Sequence, residues 1–339
     1  MESVNIKKLA QLLNLSISTV SKALRDSHDI GKETKEKVLQ LATELNYQPN
    51  PHASSLRKLK SKTIAVIVPE IANNYFALAI NGIEFVAREK GYHVLIYLTH
   101  EDFANEIAFT RHLNSGRVDG VLISVAHNDK DFLHLHELKK KGLPIIFFDR
   151  VCEDFDTVKV TTDDFESGQL ATRHLIEQGC KKIAHLAIST NLSIGNKRLR
   201  GYLKALSDHN IPVDNSLIVE CTNEHITDFN LIKSLFNEQQ PDGVFASVEK
   251  FAITTYEVCR ELKLNIPNDV KVIGFSNLET VDFLNPSLST ITQPAYEMGR
   301  EAATMLFKAL DKKLFQLKDE NIVLHSTLIQ RESTKKSGE

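Results

Sequence analysis

The sequence predicts a small all-α head followed by a two-lobe α/β body of parallel sheets covered by helices. Three observations carry that prediction. Residues 5–46 hold three short runs with helical apolar spacing. From Thr63 onward, short β-rich runs alternate with amphipathic stretches, as parallel strands alternate with crossover helices. The chain has 339 residues, and the roughly 270 of its body exceed one doubly wound unit.

In the head, Asn5 can cap the first helix, with Ile6, Leu9, Ala10 and Leu13 as its apolar stripe. Asn14-Leu15 makes a tight turn, and Ser16 caps the second helix, where Val20, Ala23 and Leu24 supply the stripe. The third helix begins near Gly31 and puts Val38, Leu41, Ala42 and Leu45 on one side. Two short capped helices joined by a tight turn and closed by a third make a helix-turn-helix, expected over residues 1–46. In that plan the second helix enters the major groove of double-stranded DNA. Lys22 can then donate to guanine O6 or N7, Ser18 can donate or accept, and Ile17 can meet a thymine methyl. Ile17 stands three residues before Val20, however, and its spacing fits the core equally well. Ser16, Thr19, Ser21 and Thr34 are short hydroxyls suited to phosphate oxygens, which position without specifying.

Charge points the same way. Residues 1–60 carry ten Lys/Arg against six Asp/Glu, leaving 31 against 38 in the remainder. A basic head on an acidic body suits a polyanionic partner. Residues 47–61 follow as a linker, where "PHASSLRKLKSKT" sets one bulky apolar residue, Leu56, among small ones and then four cations. Such a segment is too poor in apolar surface to hold a helix alone. It could form one against a partner copy and a minor groove, with Leu56 wedged between base steps.

The stretch "VNIKKLAQLLNLSISTVSKALR…IGKETKEKVLQLATELNYQPNPHASSLR" resembles the DNA-binding head and hinge of the lactose/galactose-repressor (LacI/GalR) family, without gaps from Val4 to Leu56. The resemblance implies that Ile17, Ser18 and Lys22 read bases, with Tyr47 joining the phosphate contacts. It also implies that Asn50, Ala53, Leu56 and Arg57 form the minor-groove hinge.

In the body, "TIAVIVP", "HVLIYLT", "GVLISV", "PIIFFD", "KIAHLA", "GVFASV" and "VKVIGF" read as strands. No phosphate loop, Gly-x-Ser-x-Gly or His-Glu-x-x-His occurs among them, so no catalytic machinery, metal or cofactor is expected. Cys152, Cys180, Cys221 and Cys259 are widely spaced and read as buried hydrophobes in a reducing compartment. His134 and His136, in "HLHELKK", are expected on the surface. No apolar run is long enough for a signal peptide or a membrane helix, so the protein is expected in the cytoplasm.

Stretches from "PEIANNYFALAINGIEFVAREKGYHV" to "PSLSTITQP" resemble the same family's periplasmic-binding-protein-like sensor core, over 62–339. The family would place one lobe at about 62–161 plus 291–321, the other at 162–290 plus 322–330, and an effector between them. The implied lining is Phe76, Asp149, Asn223, Val248, Ser276 and Gln293, with Arg198 clamping an oxygen-rich ligand. Ser276 stands where sugar- and purine-binding relatives usually carry Asp. With Arg198 kept, and Lys197, Lys250 and Arg150 in reach, an acidic or phosphorylated sugar is expected beside a plain carbohydrate. Together the features imply a homodimeric, effector-controlled repressor of a palindromic operator. A transport-type solute-binding protein is the rival, and it has no use for the head.

Overall fold

The computed structural model describes residues 5–47, 61–72, 74–113, 116–126, 132–222, 224–311 and 317–335. The chain divides into two compact units, residues 1–61 and 62–339. In the head, α1 (Ile6–Leu12) is capped by the Asn5 side chain, which accepts from the Lys8 N–H at 3.0 Å. Ser16 caps α2 (Ile17–Ala23) in the same way, accepting from the Thr19 N–H at 3.0 Å. Between them Asn14 turns the chain in the left-handed region at φ +52°, a conformation Asn tolerates. Helix α3 (Lys32–Glu44) starts from extended Gly31 without a side-chain cap. Leu9, Ala10, Val20, Ala23, Val38 and Ala42 form the shared core, and it holds three helices too short to persist alone.

The body begins with β1 (Thr63–Val68), α4 (Asn74–Glu89), β2 (His93–Leu98), α5 (Phe103–Leu113), β3 (Gly120–Ile123), α6 (Leu133–Lys140), β4 (Ile145–Phe148) and β5 (Val158–Thr162). The second lobe follows with α7 (Asp164–Glu177), β6 (Ile183–Ala187), α8 (Ser193–Asp208), β7 (Ile218–Glu220) and α9 (His225–Gln239). It continues through β8 (Gly243–Ala246), α10 (Glu249–Leu262), β9 (Lys271–Phe275) and β10 (Ser289–Thr292). The chain then returns to the first lobe with α11 (Ala295–Asp311) and β11 (Glu320–Leu324), and ends in the second with β12 (Thr327–Ile329).

Among the described residues the strands form two six-stranded sheets, ordered β11-β5-β4-β3-β1-β2 and β12-β10-β9-β8-β6-β7. Every pairing is parallel except that of β10 with β12. Strands covered on both faces read as unbroken apolar runs, and β1, β3 and β4 are buried almost throughout. The first lobe extends to Leu324, beyond the expected boundary near 321. The cause is the register of β11, which pairs residue for residue with β5 from Glu320–Val158 to Leu324–Thr162. Strand β10 stays with the second sheet, so the middle crossover falls at Gln293.

Helix pairs pack on each lobe with their backbones in contact. A Cβ on Gly299 would lie 1.9 Å from the Ala79 carbonyl, and one on Gly82 would lie 2.1 Å from that of Tyr296, so α4 and α11 touch directly. Gly168 and Gly201 do the same for α7 and α8, facing the carbonyls of Arg198 and Phe165 at 2.5 and 2.2 Å.

The four cysteines are buried and free. His136 is exposed, but His134 departs from its expected place on the surface. It is buried, with Nε2 2.8 Å from Oε1 of Glu106, a fully buried carboxylate whose other oxygen accepts from the Ala126 N–H. A buried acid needs such partners, and helical spacing cannot show that one is coming. No helix among the described residues is long and apolar enough to cross a membrane.

Two stability predictions follow from this packing. Gly299→Ala forces a methyl into a backbone contact and should cost about 1–3 kcal/mol of stability, seen as a lower urea midpoint. His185, on β6, is buried between Tyr202 and Phe245, and burial pushes its pKa down from 6.5 to about 3. The unfolded chain therefore takes up a proton below about pH 6.5 that the folded chain refuses, and stability falls as pH drops from there. Between pH 7.5 and 5, His185→Phe should spare about 2 kcal/mol of the loss the native protein suffers in urea titrations.

Candidate ligand cleft and nucleic-acid interface

The carboxyl ends of the strands in both lobes open onto one cleft, the place where parallel α/β sheets bind ligands. Its inner cavity, about 400 Å³ with its open mouth included, is lined by Phe76, Asp149, Arg198, Val248, Ser276 and Gln293, along with Tyr75, Arg150 and Glu249. The structure thus brings together all the expected cleft residues except Asn223, which lies outside the described residues. A second opening shares Arg150, Val248 and Glu249 and reaches Glu70, Glu101 and Lys250.

Arg198 enters from the first turns of α8 and is almost fully buried. Its Nε and Nη2 lie 2.8 and 2.7 Å from Oδ1 of Asp164, and Nη1 donates to the Ser247 carbonyl at 2.6 Å. The guanidinium also stacks on Phe275, 3.7 Å from the ring centroid. Most of its hydrogen-bonding capacity is therefore spent within the protein. Asp164 starts α7, and burial pushes its carboxyl up against the opposing pull of Arg198.

Asp149 directly follows β4 in the left-handed region, φ +63°, a strained conformation held here by its neighbours. Its N–H donates to the Val160 carbonyl, and its carboxylate accepts from Ser124 Oγ at 3.2 Å and from the Tyr75 hydroxyl. Burial pushes its pKa up to about 6, with Asp164 adding and Arg150 and Arg198 opposing. Ser276 Oγ donates to Glu249 Oε2 at 2.5 Å, so a carboxylate from the start of α10 stands where strand β9 supplies none. Burial raises the pKa of Glu249 as well.

The expected surplus of cations is absent. Arg150 grips Glu101 with two bonds of 2.5 and 3.0 Å, Lys197 pairs with Glu153 at 2.8 Å, and Lys250 lies 3.5 Å from Glu70. With Arg198 on Asp164, each cation named for an anionic ligand already faces a carboxylate. Asp149 and Glu249 remain as acids that no such close ion pair neutralises; the nearest cation to Asp149 is Arg150, 3.9 Å away.

The three crossovers between lobes are tied side by side. Gln293 Nε2 donates to Thr162 Oγ1 at 2.9 Å, and the Gln293 carbonyl accepts from Asn277 Nδ2 at 2.6 Å. Asp163 Oδ1 accepts from the N–H and Oγ of Ser326 at 2.9 and 2.8 Å and from Ser167 Oγ at 3.0 Å. These bonds hold its carboxyl below the usual range despite partial burial. Away from the crossovers, the Val151 N–H donates to Ser193 Oγ at 3.3 Å across the cleft.

In the head, Ile17 is 41 % exposed and Ser18 is exposed, which resolves the two fits of Ile17 in favour of the outer face. Lys22 is half-exposed, with Nζ 3.0 Å from Asp29 Oδ2. Ser16 Oγ contacts Thr19 Oγ1 at 2.8 Å, while Ser21 accepts from Arg25 through both its carbonyl and its Oγ. Thr34 and Tyr47 are half-buried at the edge of the core. Asn50, Ala53, Leu56 and Arg57 lie outside the described residues.

Sequence reasoning missed Tyr75, Asp164, Glu249 and Asp29. Asp164 and Glu249 sit in first helical turns, where acids are commonplace partners of the helix dipole. The one available signal was the doubled acid of "TTDDFESG" directly after a strand.

The buried pair makes a sharp prediction. Arg198→Met leaves Asp164 without its cation and should cost about 3–5 kcal/mol. Adding Asp164→Asn should restore most of that, and urea unfolding of the two variants checks it.

A family model described as "Periplasmic binding proteins and sugar binding domain of LacI family" matches residues 61–336. A second, "Bacterial regulatory proteins, lacI family", matches residues 5–50. The chain is 30 % identical to the ribose operon repressor of Halalkalibacterium halodurans over 332 residues, 97 % of each chain. A LacI family transcriptional regulator from Enterococcus faecium, solved with bound ribose, is 27 % identical with a TM-score of 0.70, covering 80 % of this chain and 98 % of its own. The lac repressor dimer bound to operator matches with a TM-score of 0.86 over 99 % of this chain and 100 % of that one, a likeness of fold at 22 % identity. With both of its parts matched, the chain belongs to the LacI family as a DNA-binding transcriptional regulator, a helix-turn-helix head joined to a periplasmic-binding-protein-like core.

Proposed function

We propose that the cleft takes an uncharged, hydroxyl-rich effector of the carbohydrate class, and that this ligand sets how tightly two heads hold a palindromic operator. The pairing of the cleft's cations carries the reading. An anion would have to displace Asp164 from the buried Arg198, at a cost of several kcal/mol, or Glu101 from its two bonds to the buried Arg150; only the half-exposed Lys250 could leave its acid, Glu70, at small cost. Ligand hydroxyls can instead donate to Asp149 and Glu249, which keep acceptor capacity, while Phe76 and Val248 offer apolar wall. The ribose bound by the Enterococcus faecium regulator and the name of the Halalkalibacterium relative support the same ligand class. We assign the cleft binding and no reaction, since these relatives are named as regulators.

On this reading residues 1–46 read DNA, 47–61 form the hinge and 62–339 sense the ligand. Ile17, Ser18 and Lys22 face base edges, with Ser16, Thr19, Ser21, Thr34 and Tyr47 toward phosphates, and the exposure of Ile17 and Ser18 supports this. Asn50, Ala53, Leu56 and Arg57 would enter the minor groove as a pair of hinges, as their sequence suggests. Two heads on a two-fold homodimer require an inverted repeat. Acting on the chromosome places the protein in the cytoplasm. The effector acts by preferring one arrangement of the lobes, and a near-complete switch needs a preference on the order of 5 kcal/mol.

A thermal-shift panel of pentoses, hexoses, disaccharides, uronates and sugar phosphates tests the ligand class. Stabilisation should come from neutral members and weaken as pH falls through about 6, where Asp149 takes a proton and loses acceptor capacity. Asp149→Asn should flatten that pH dependence. Stabilisation by uronates or phosphates alone would overturn the reading.

A further inference from the structure

Asp29 is a half-exposed acid in the turn after α2. We propose that Asp29 is a specificity-determining residue of the head: its carboxylate and the Lys22 ammonium act as one donor–acceptor unit that selects a G·C pair. The inference rests on Lys22 facing a base edge, as proposed above.

The turn is built to bring the two together. Beyond α2, the N–H groups of Arg25 and Ser27 both donate to the Lys22 carbonyl, at 3.2 and 3.0 Å, folding the chain back over its own helix end. Asp29 thereby reaches Lys22 across seven positions, Oδ2 to Nζ at 3.0 Å, while His28 Nε2 lies 2.8 Å from Oδ1. The neighbouring charges are engaged elsewhere. Arg25 bonds Ser21, and Asp26 pairs with Lys35 at 2.6 Å.

A lysine alone is a poor reader, with three donors on a flexible stem that can meet N7 or O6 of guanine, N7 of adenine or O4 of thymine. Asp29 changes that in two ways. It occupies one N–H and so fixes where the ammonium sits, leaving two donors. Guanine offers two adjacent acceptors, N7 and O6, whereas along an A·T edge a donor separates the acceptors. The carboxylate itself can only accept, and the group beside guanine O6 is the N4 amine of cytosine, a donor. A half-exposed ion pair contributes little to stability, so the effect belongs to recognition and not to folding.

The test uses the full-length protein against a randomised duplex library, comparing the native chain, Asp29→Asn and Lys22→Ala. The native protein should enrich an inverted repeat containing a G·C pair favoured by about tenfold or more at one position of each half-site. Asp29→Asn should keep the repeat, reduce that preference to within about threefold, and leave the other positions unchanged. Lys22→Ala should relax the same position. An unchanged preference in Asp29→Asn, or an equal loss of affinity for all sequences, overturns the inference while leaving base reading by Lys22 intact. If Lys22→Ala changes no base preference, or the native protein enriches no sequence, base reading by Lys22 fails and this inference fails with it.

Discussion

Direct contact between helix backbones sets the geometry of both lobes. Where Gly299 meets Ala79 and Gly201 meets Phe165, no side chain separates the helices, and each pair sits closer than ordinary packing permits. In the second lobe this closeness has a chemical result. Gly168 lets α7 settle against the backbone of Arg198, and the same approach puts the Arg198 guanidinium on Asp164, one turn away. Both groups are out of water, where only good geometry offsets the cost of desolvation. A wider crossing would separate them, and the floor of the cleft would lose its shape with its charge balance.

The joint between the lobes is made differently from their interiors. The core clusters of each lobe are apolar, with the buried pairs Arg198–Asp164 and Glu106–His134 set among them, whereas the crossovers are held by amide, hydroxyl and carboxylate groups centred on Asp163 and Gln293. The Gln293–Thr162 bond is buried, whereas those of Asp163 with Ser326 are part-buried and can be exchanged for water at small net cost. Asp149 and Glu249 line the same cavity as Gln293, so the cleft reaches this joint.

Much of this was legible in the sequence. Asn5 and Ser16 announced the first two head helices, and the unbroken runs "TIAVIV" and "PIIFF" could only be strands covered on both sides. What escaped depended on contacts across long stretches of chain. Lys197 finds Glu153, and Arg150 finds Glu101, at separations no local pattern encodes, so cations counted singly suggested a ligand charge that their partners remove. Glu249 was hidden because an acid in a first helical turn has an ordinary explanation. His134 was hidden because its partner, Glu106, lies on another helix. The switch of the chain from β11 to β12 left no mark in "HST" beyond a short polar break.

The triple passage between lobes also orders events during synthesis. The first sheet has five of its strands by Thr162, but its sixth, β11, ends at Leu324, and the helix that covers Ala79 and Gly82 is made only shortly before. At ribosomal rates of about 5–20 residues per second, the interval is roughly 8–30 s. Throughout it the nascent first lobe carries an open sheet edge and a bare helix face, while the head, made first and closed on its own core, is already complete. A growing chain of this protein therefore carries a finished head ahead of a body whose first sheet still waits for its last strand.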